Sequence, residues 1–351
     1  MNDIELSEEE SKYLVYRDEE MMLFGDNRLY QCFVESKQNY IDGTFKSVNK
    51  ELFYQLYTVH FESNGGVFPV FYALLHNKQK GTYEKLFRKI EDIVHVKVFH
   101  QEKVVLGDFE ILGIKGLGSE IDRRICLFHF CQNLFRRAKK ISFIEYKKRK
   151  SFHALCKSLM VFPLLPFDRI DEAFDFLKNK YNSENEKKML EFFERNYLKG
   201  RFNRKHWWIY DLTKKTNNNV ESFNSKFNRF VRVNNPSISK LINKLNKTVE
   251  DVHKKAVSII NHDNRPREKP KNREKSKSIR MIIETQGKEN IQLLIAHLVE
   301  AVDIDKMKYE KLFENTDEYE EEIENETSEE LGNENEMRDN DDENSSENET
   351  Q

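Results

Sequence analysis

Two acidic residues in this sequence stand where a charge is costly, and a third acid follows in a helix-like segment. Asp42 interrupts the strand-like run "NYIDGTFKSV" (39–48) directly before a glycine, and Asp108 ends the short strand-like segment "EKVVLGDFE". Glu221 lies in "TKKTNNNVESFNSKFNRFV" (213–231), which reads as a cap followed by a helix. An isolated ionised carboxylate among residues that favour burial costs several kcal/mol unless it is paired or coordinates a metal. Converging carboxylate oxygens suit Mg²⁺ or Mn²⁺, hard ions that take oxygen ligands and leave positions for phosphate oxygens. The matching chemistry is two-metal phosphoryl transfer. Taken singly, each aspartate also fits a turn or cap, and Glu221 also fits a solvated helix face.

The surrounding elements must bring these acids together. The runs "LFYQLYTVHF" (52–61) and "VFPVFYALLH" (67–76) read as strands joined by the turn-rich "ESNGG". Tyr83, Leu86, Phe87, Ile90, Ile93 and Val94 recur at helical spacing, with Thr82 as the expected N-cap. A right-handed crossover through that helix sets the strand ending at Asp108 parallel to, and beside, the strand of Asp42. "RRICLFHF" (123–130) reads as a fifth strand running into a helix "CQNLFRRAKKI", and residues 145–205 read as helix only. In 213–231, Val220, Phe223, Phe227 and Phe230 form an apolar face, with Asn217, Glu221, Asn224 and Asn228 as the adjoining polar stripe. A helix after Pro236 carries Ile238, Leu245, Val252 and Ile259 seven apart, with Ile242, Val249 and Ala256 offset by four. This pattern fits a packed terminal helix and also fits helix pairing in an oligomer.

Charge is unevenly distributed. Residues 317–351 hold 17 acids and one base, a local charge of −16, which leaves +13 on the preceding 316 residues against −3 for the whole chain. A basic body with an acidic end suggests a polyanionic partner and a competing tail; a solvated surface with a solubilising tail is the alternative. The tail should be disordered. "NRPREKPKNREKSKSIR" (264–280) has 8 bases and 2 acids and reads as a flexible linker. Its Arg265, Arg267, Lys269, Lys271 and Arg273 are candidates for phosphate contacts that carry no sequence information. Four cysteines without a disulfide framework, and the acidic start "MNDIELSEEE", indicate a reducing compartment and no secretory signal. No apolar run is long enough to span a membrane.

The segments "YIDGTFKSVNKELFYQLYTVH", "VFPVFYALL", "GTYEKLF", "GDFE", "CLFHFCQNLFR" and "TNNNVESFNSKFNRF" closely resemble, in order, the transposase domain of Mutator-like elements. The likeness is to the branch that often carries an N-terminal FLYWCH zinc finger, and it covers roughly residues 20–240. It implies an α/β, ribonuclease H-like mixed sheet with an all-helical insertion, here at 145–205 within a catalytic domain at 37–233. A lead-in at 1–36, C-terminal helices and basic linker at 234–312, and the tail at 313–351 complete the expected organisation. The resemblance implies a D-D-E triad at Asp42, Asp108 and Glu221 that holds Mg²⁺ or Mn²⁺. Cys126 and His129 match the family's C-x2-H element, and with Asn217 and Asn218 they are expected to support the site.

The implied activity is a DNA transposase that hydrolyses phosphodiesters and transfers strands at transposon terminal repeats and target DNA, in the nucleus, with homo-oligomers possible. Two departures stand out: no Cys/His finger precedes the domain, and Asn224 occupies a place where relatives often have histidine. They motivate a second reading, a domesticated, catalytically silent DNA-binding or transcription-related protein. A generic ribonuclease H-like nuclease is a third. His153 and Cys156 show an inverted H-x2-C spacing, but their apolar neighbours read as a packed helix. Trp207 and Trp208 suit core packing better than base stacking.

Overall fold

The computed structural model describes residues 4–45, 48–100, 102–107, 121–200, 202–212, 218–233, 235–261, 270–286 and 290–302. These all belong to one contact unit, Met1–Ile304. The acidic tail lies outside the described residues.

Seven described strands form one mixed sheet: β1 (Leu14–Arg17), β2 (Met21–Gly25), β3 (Gln38–Thr44), β4 (Gln55–Ser63), β5 (Gly66–Leu75), β6 (Val104–Gly107) and β7 (Asp122–Ile125). Their order is β1-β2-β5-β4-β3-β6-β7. Strands β1 to β5 pair antiparallel with their neighbours, whereas β6 runs parallel to β3 and β7 parallel to β6. This is the mixed sheet expected of a ribonuclease H-like fold. The β4–β5 hairpin closes on Asn64 and Gly65, both at positive φ (47° and 76°), the conformation that an Asn-Gly turn adopts most readily.

Eleven described helices surround the sheet: α1 (Tyr30–Glu35), α2 (Lys80–Val94), α3 (Leu127–Lys148), α4 (Lys150–Met160), α5 (Ile170–Lys180), α6 (Glu184–Phe193), α7 (Arg204–Trp207), α8 (Asn218–Val231), α9 (Ile238–Asn261), α10 (Pro270–Gln286) and α11 (Ile291–Val302). Strand alternation divides the core in two. Ile41, Tyr57, Val59, Phe71 and Ala73 meet Tyr83, Leu86, Phe87 and Ile90 of α2 on one face. Met22, Phe24, Leu56, Tyr72 and Leu74 meet Phe227 and Val231 of α8 and Leu241, Ile242, Leu245 and Val249 of α9 on the other. The C-terminal end of α9 adds Ala256 and Ile259 to the first cluster, so its seven-residue pattern is buried within this chain's own core. The expected packed helix is therefore found.

Among the described residues between α3 and α8 the regular elements are all helices, as expected for 145–205. The centre of this block is aromatic: Phe193 packs on Phe162 (5.0 Å) and Tyr197 (5.0 Å), and Phe130 of α3 packs on Tyr197 (5.1 Å). Trp207 is fully buried and donates its indole N–H to the Tyr197 carbonyl (3.1 Å), while Trp208 donates to that of Leu165 (2.9 Å). Both tryptophans thus pack within the helical block. His153 lies edge-on to Tyr146 (4.7 Å), and burial pushes the Cys156 thiol up.

Four local expectations need correction. Strand β7 ends at Ile125 rather than at 130, because Leu127, Phe130, Cys131 and Leu134 recur at helical spacing and are buried as the inner side of α3. Thr82 lies inside α2 rather than capping it; Gln79 holds the cap position, and Thr82 Oγ1 bonds Asn77 Oδ1 (2.7 Å). Phe230 is exposed at the rim of the apolar face of α8 and lies under Lys244 (3.9 Å to the ring centroid). The second half of the basic "linker" is the helix α10, in which Ile279 and Ile283, one turn apart, are buried, and α10 packs on α11. Proline at the first helical position removes no needed hydrogen bond.

Candidate functional site

Asp42 sits near the end of β3, and alternation puts its side chain on the same face as Tyr40 and Thr44. The residue is 7 % exposed, and its carboxylate accepts a hydrogen bond from Asn224 Nδ2 at 2.7 Å. Two further contacts fix the strand: Thr58 Oγ1 donates to the Asp42 carbonyl (3.3 Å), and Asn228 Nδ2 donates to Thr44 Oγ1 (3.2 Å). The polar stripe of α8 therefore faces the sheet, while Val220, Phe227 and Val231 fill the core beside it. Glu221 is one turn before Asn224, so the helix holds Glu221 on the same side as the residue that grips Asp42.

Strand β4 adds His60, opposite Tyr40. Its Nε2 pairs with Thr58 Oγ1 (2.9 Å), and its ring meets Phe223 of α8 edge-on (5.3 Å). Burial pushes its pKa down to about 3, so the imidazole is neutral. His60, Thr58 and Thr44 were missed in reading the sequence. The available cue was that these polar residues share one face of otherwise apolar strands.

Glu221 also meets a second pair of donors. Cys126 caps the start of α3 in extended conformation, and its backbone N–H donates to the Gly107 carbonyl (2.8 Å) at the end of β6. One helical turn on, His129 Nε2 lies 3.7 Å from Glu221 Oε1. One ligand atom from each of Cys126, His129 and Glu221 lies within 4.8 Å of the others. The β7–α3 junction that positions them is anchored by Arg124, which bonds Asp122 Oδ2 (3.0 Å) and Asp211 (3.2 and 3.3 Å) and stacks over Trp208 (5.5 Å). The helical block is thereby tied to β7, the strand that leads into Cys126.

The structure thus brings Glu221 together with Cys126 and His129 and links Asp42 to the same helix through Asn224. Asp108 lies outside the described residues. The described β3–β6 register ends with Tyr40 beside Leu106, two residues short of Asp42 on one strand and of Asp108 on the other. A Cβ on Gly107 would meet the Ile41 side chain at 2.9 Å, so glycine permits this close approach of the strands. Asn218 opens α8, and Asn217 lies outside the described residues. So do Arg265, Arg267 and Lys269; Lys271 and Arg273 fall in α10, where Arg273 is exposed.

Asn224 Oδ1 is buried with no hydrogen-bond partner among the described residues, and an amide oxygen is a ligand of the type that hard divalent ions take.

A family model of the MULE transposase domain matches residues 39–133. The matched segment contains Asp42, Asp108, Cys126 and His129 and ends before Glu221. Over that segment the chain is similar to a transposase domain. No curated protein matches the chain. No described helix is long and apolar enough to cross a membrane.

Proposed function

We propose that the seam between β3 and α8 is the catalytic centre of a D-D-E DNA transposase, with Asp42, Asp108 and Glu221 as its acids. One observation carries this reading: a buried carboxylate, inside the segment similar to a transposase domain, is gripped by an amide one turn from Glu221. Asp42 and Glu221, with Asp108, would hold Mg²⁺ or Mn²⁺, and Asn224 fixes the orientation of the Asp42 carboxylate. The bound ions would supply Lewis-acid polarisation of phosphoryl oxygens and a more acidic water. Hydrolysis at an element end adds water across the P–O3′ bond and leaves a 3′-hydroxyl. In strand transfer the oxygen of that hydroxyl attacks a target phosphodiester and expels another 3′-oxygen; the attacking hydroxyl gives its proton to solvent and the leaving oxygen takes one up, ending as a new 3′-hydroxyl.

Purified protein with Mn²⁺ and labelled terminal-repeat DNA is expected to nick and join strands. Asp42→Asn and Asp108→Asn should each abolish this while leaving the circular dichroism spectrum unchanged. Full activity in both variants would end the assignment. The protein would act on terminal repeats and target DNA in the nucleus, and its basic segment around Arg273 would add contacts to phosphates.

A silent DNA-binding derivative is the second reading. Its supporting observation is that Glu221 groups with Cys126 and His129, whereas the described partner of the Asp42 carboxylate is an amide. Salt-dependent DNA binding without metal-dependent cleavage would select it.

A further inference from the structure

We infer that Cys126, His129 and Glu221 form a three-ligand site for a borderline-soft transition metal of the Zn²⁺ class, separate from the hard-ion site assigned to the carboxylates. The site shares Glu221 with the reading above but does not depend on any DNA chemistry.

The donors are one thiol, one imidazole and one carboxylate, and they approach within 4.8 Å of one another. Mg²⁺ accepts oxygen almost exclusively, whereas thiolate and imidazole select Zn²⁺ and its neighbours. Three protein ligands with an open fourth position is a usual zinc arrangement. Bond lengths of about 2.0 to 2.3 Å place the donors of a tetrahedral site about 3.3 to 3.8 Å apart. The His129–Glu221 separation of 3.7 Å already satisfies this, and the widest permitted by the cluster needs a contraction of about 1 Å.

The surroundings suit a metal. Cys126 is fully buried, and His129 Nδ1 is sealed from solvent with no hydrogen-bond partner among the described residues. Cys126, at the N-cap, and His129, in the first turn, sit at the start of one helix, which is fixed to β6 by the Cys126 N–H bond to Gly107. The i, i+3 spacing sets both side chains toward α8, which supplies the third ligand from across the seam. Binding releases the Cys126 thiol proton to solvent and uses neutral imidazole, so the site exchanges one proton for two positive charges. With metal bound, Glu221 is withdrawn from Asp42, and occupancy becomes an off-state for any hard-ion chemistry at the same glutamate.

Co²⁺, a spectroscopic substitute for Zn²⁺, tests this on the full chain without DNA. One equivalent should produce a thiolate-to-cobalt charge-transfer band and tetrahedral visible absorption, both removed by equimolar Zn²⁺. Cys126→Ser should remove the charge-transfer band. His129→Ala should weaken Co²⁺ binding at least about 100-fold, more than loss of an outer-shell partner does. Asp42→Asn should leave both bands in place. Circular dichroism of each variant reports folding, and Glu221→Gln, nearly isosteric, is the second variant should Cys126→Ser unfold. Absence of a charge-transfer band in the wild type, or its persistence in Cys126→Ser, would overturn the inference. A cobalt band in a protein whose metal-stripped form cleaves no DNA with Mn²⁺ keeps this site and ends the transposase reading; Mn²⁺-dependent cleavage without a cobalt band does the reverse.

Discussion

The two faces of the sheet are built differently. Against α1 and α2 the contacts are almost wholly apolar, with Phe71 stacked on Tyr30 (5.0 Å) and edge-on to Phe33 (5.6 Å) of α1. Against α8 the same strands present Asp42, Thr44, Thr58 and His60, which meet Asn224, Asn228 and Phe223. Folding alone favours the first solution, because each buried polar group must recover its lost hydration through a partner. The second face keeps a carboxyl group and a neutral imidazole where aliphatic residues would pack, a cost in stability that the proposed chemistry would account for.

This contrast can be broken by mutation. The largest expected effect is on the apolar face: Phe71→Ala should lose about 3 to 5 kcal/mol in urea unfolding, whereas Asp42→Asn should change stability by less than about 1 kcal/mol. The amide of Asn224 can rotate to offer Oδ1 to the new side chain. Equal losses from the two substitutions would show that the faces serve folding alike.

His60 gives the next effect. Its folded pKa, about 3, lies below the unfolded value near 6.5, so between these values the unfolded chain binds more protons and stability rises with pH. As pH falls below about 6.5, stability should be lost through His60 at a rate that approaches about 1.4 kcal/mol per pH unit, and His60→Gln should remove that part of the slope. Parallel pH profiles for the two proteins would contradict a buried neutral imidazole.

Asn228→Ala removes the hydrogen bond to Thr44 and should cost about 1 kcal/mol. Smallest is Lys244→Ala, whose ammonium covers the exposed Phe230 ring; the expected loss is about 0.5 kcal/mol. Chemical denaturation of both variants checks whether the polar seam outweighs the solvent-facing rim.

Much of the sheet was legible from residues alone. The strand-like runs of β3 to β5, the turn-rich "ESNGG" between the last two and the α2 periodicity each report a local rule that tertiary packing did not override. The junction after Ile125 was not legible, because a short apolar run such as "CLFHF" satisfies strand and helix alike, and only its continuation through Leu134 decides. The polar stripe of α8 was readable as a stripe, but its direction was not. Sequence spacing fixes which residues share a face, and the partner across that face is set by long-range packing. His60 and Thr58 became visible only once β4 lay beside β3. The grouping of Cys126 and His129 with Glu221 depends on α3 and α8 meeting, two elements far apart in the chain.

The most direct measurement is anomalous scattering from crystals of the chain grown with Mn²⁺. A manganese peak about 2.2 Å from carboxylate oxygens of both Asp42 and Glu221 is the predicted result. No peak at Asp42, with its carboxylate still held by Asn224 at saturating Mn²⁺, would contradict the account.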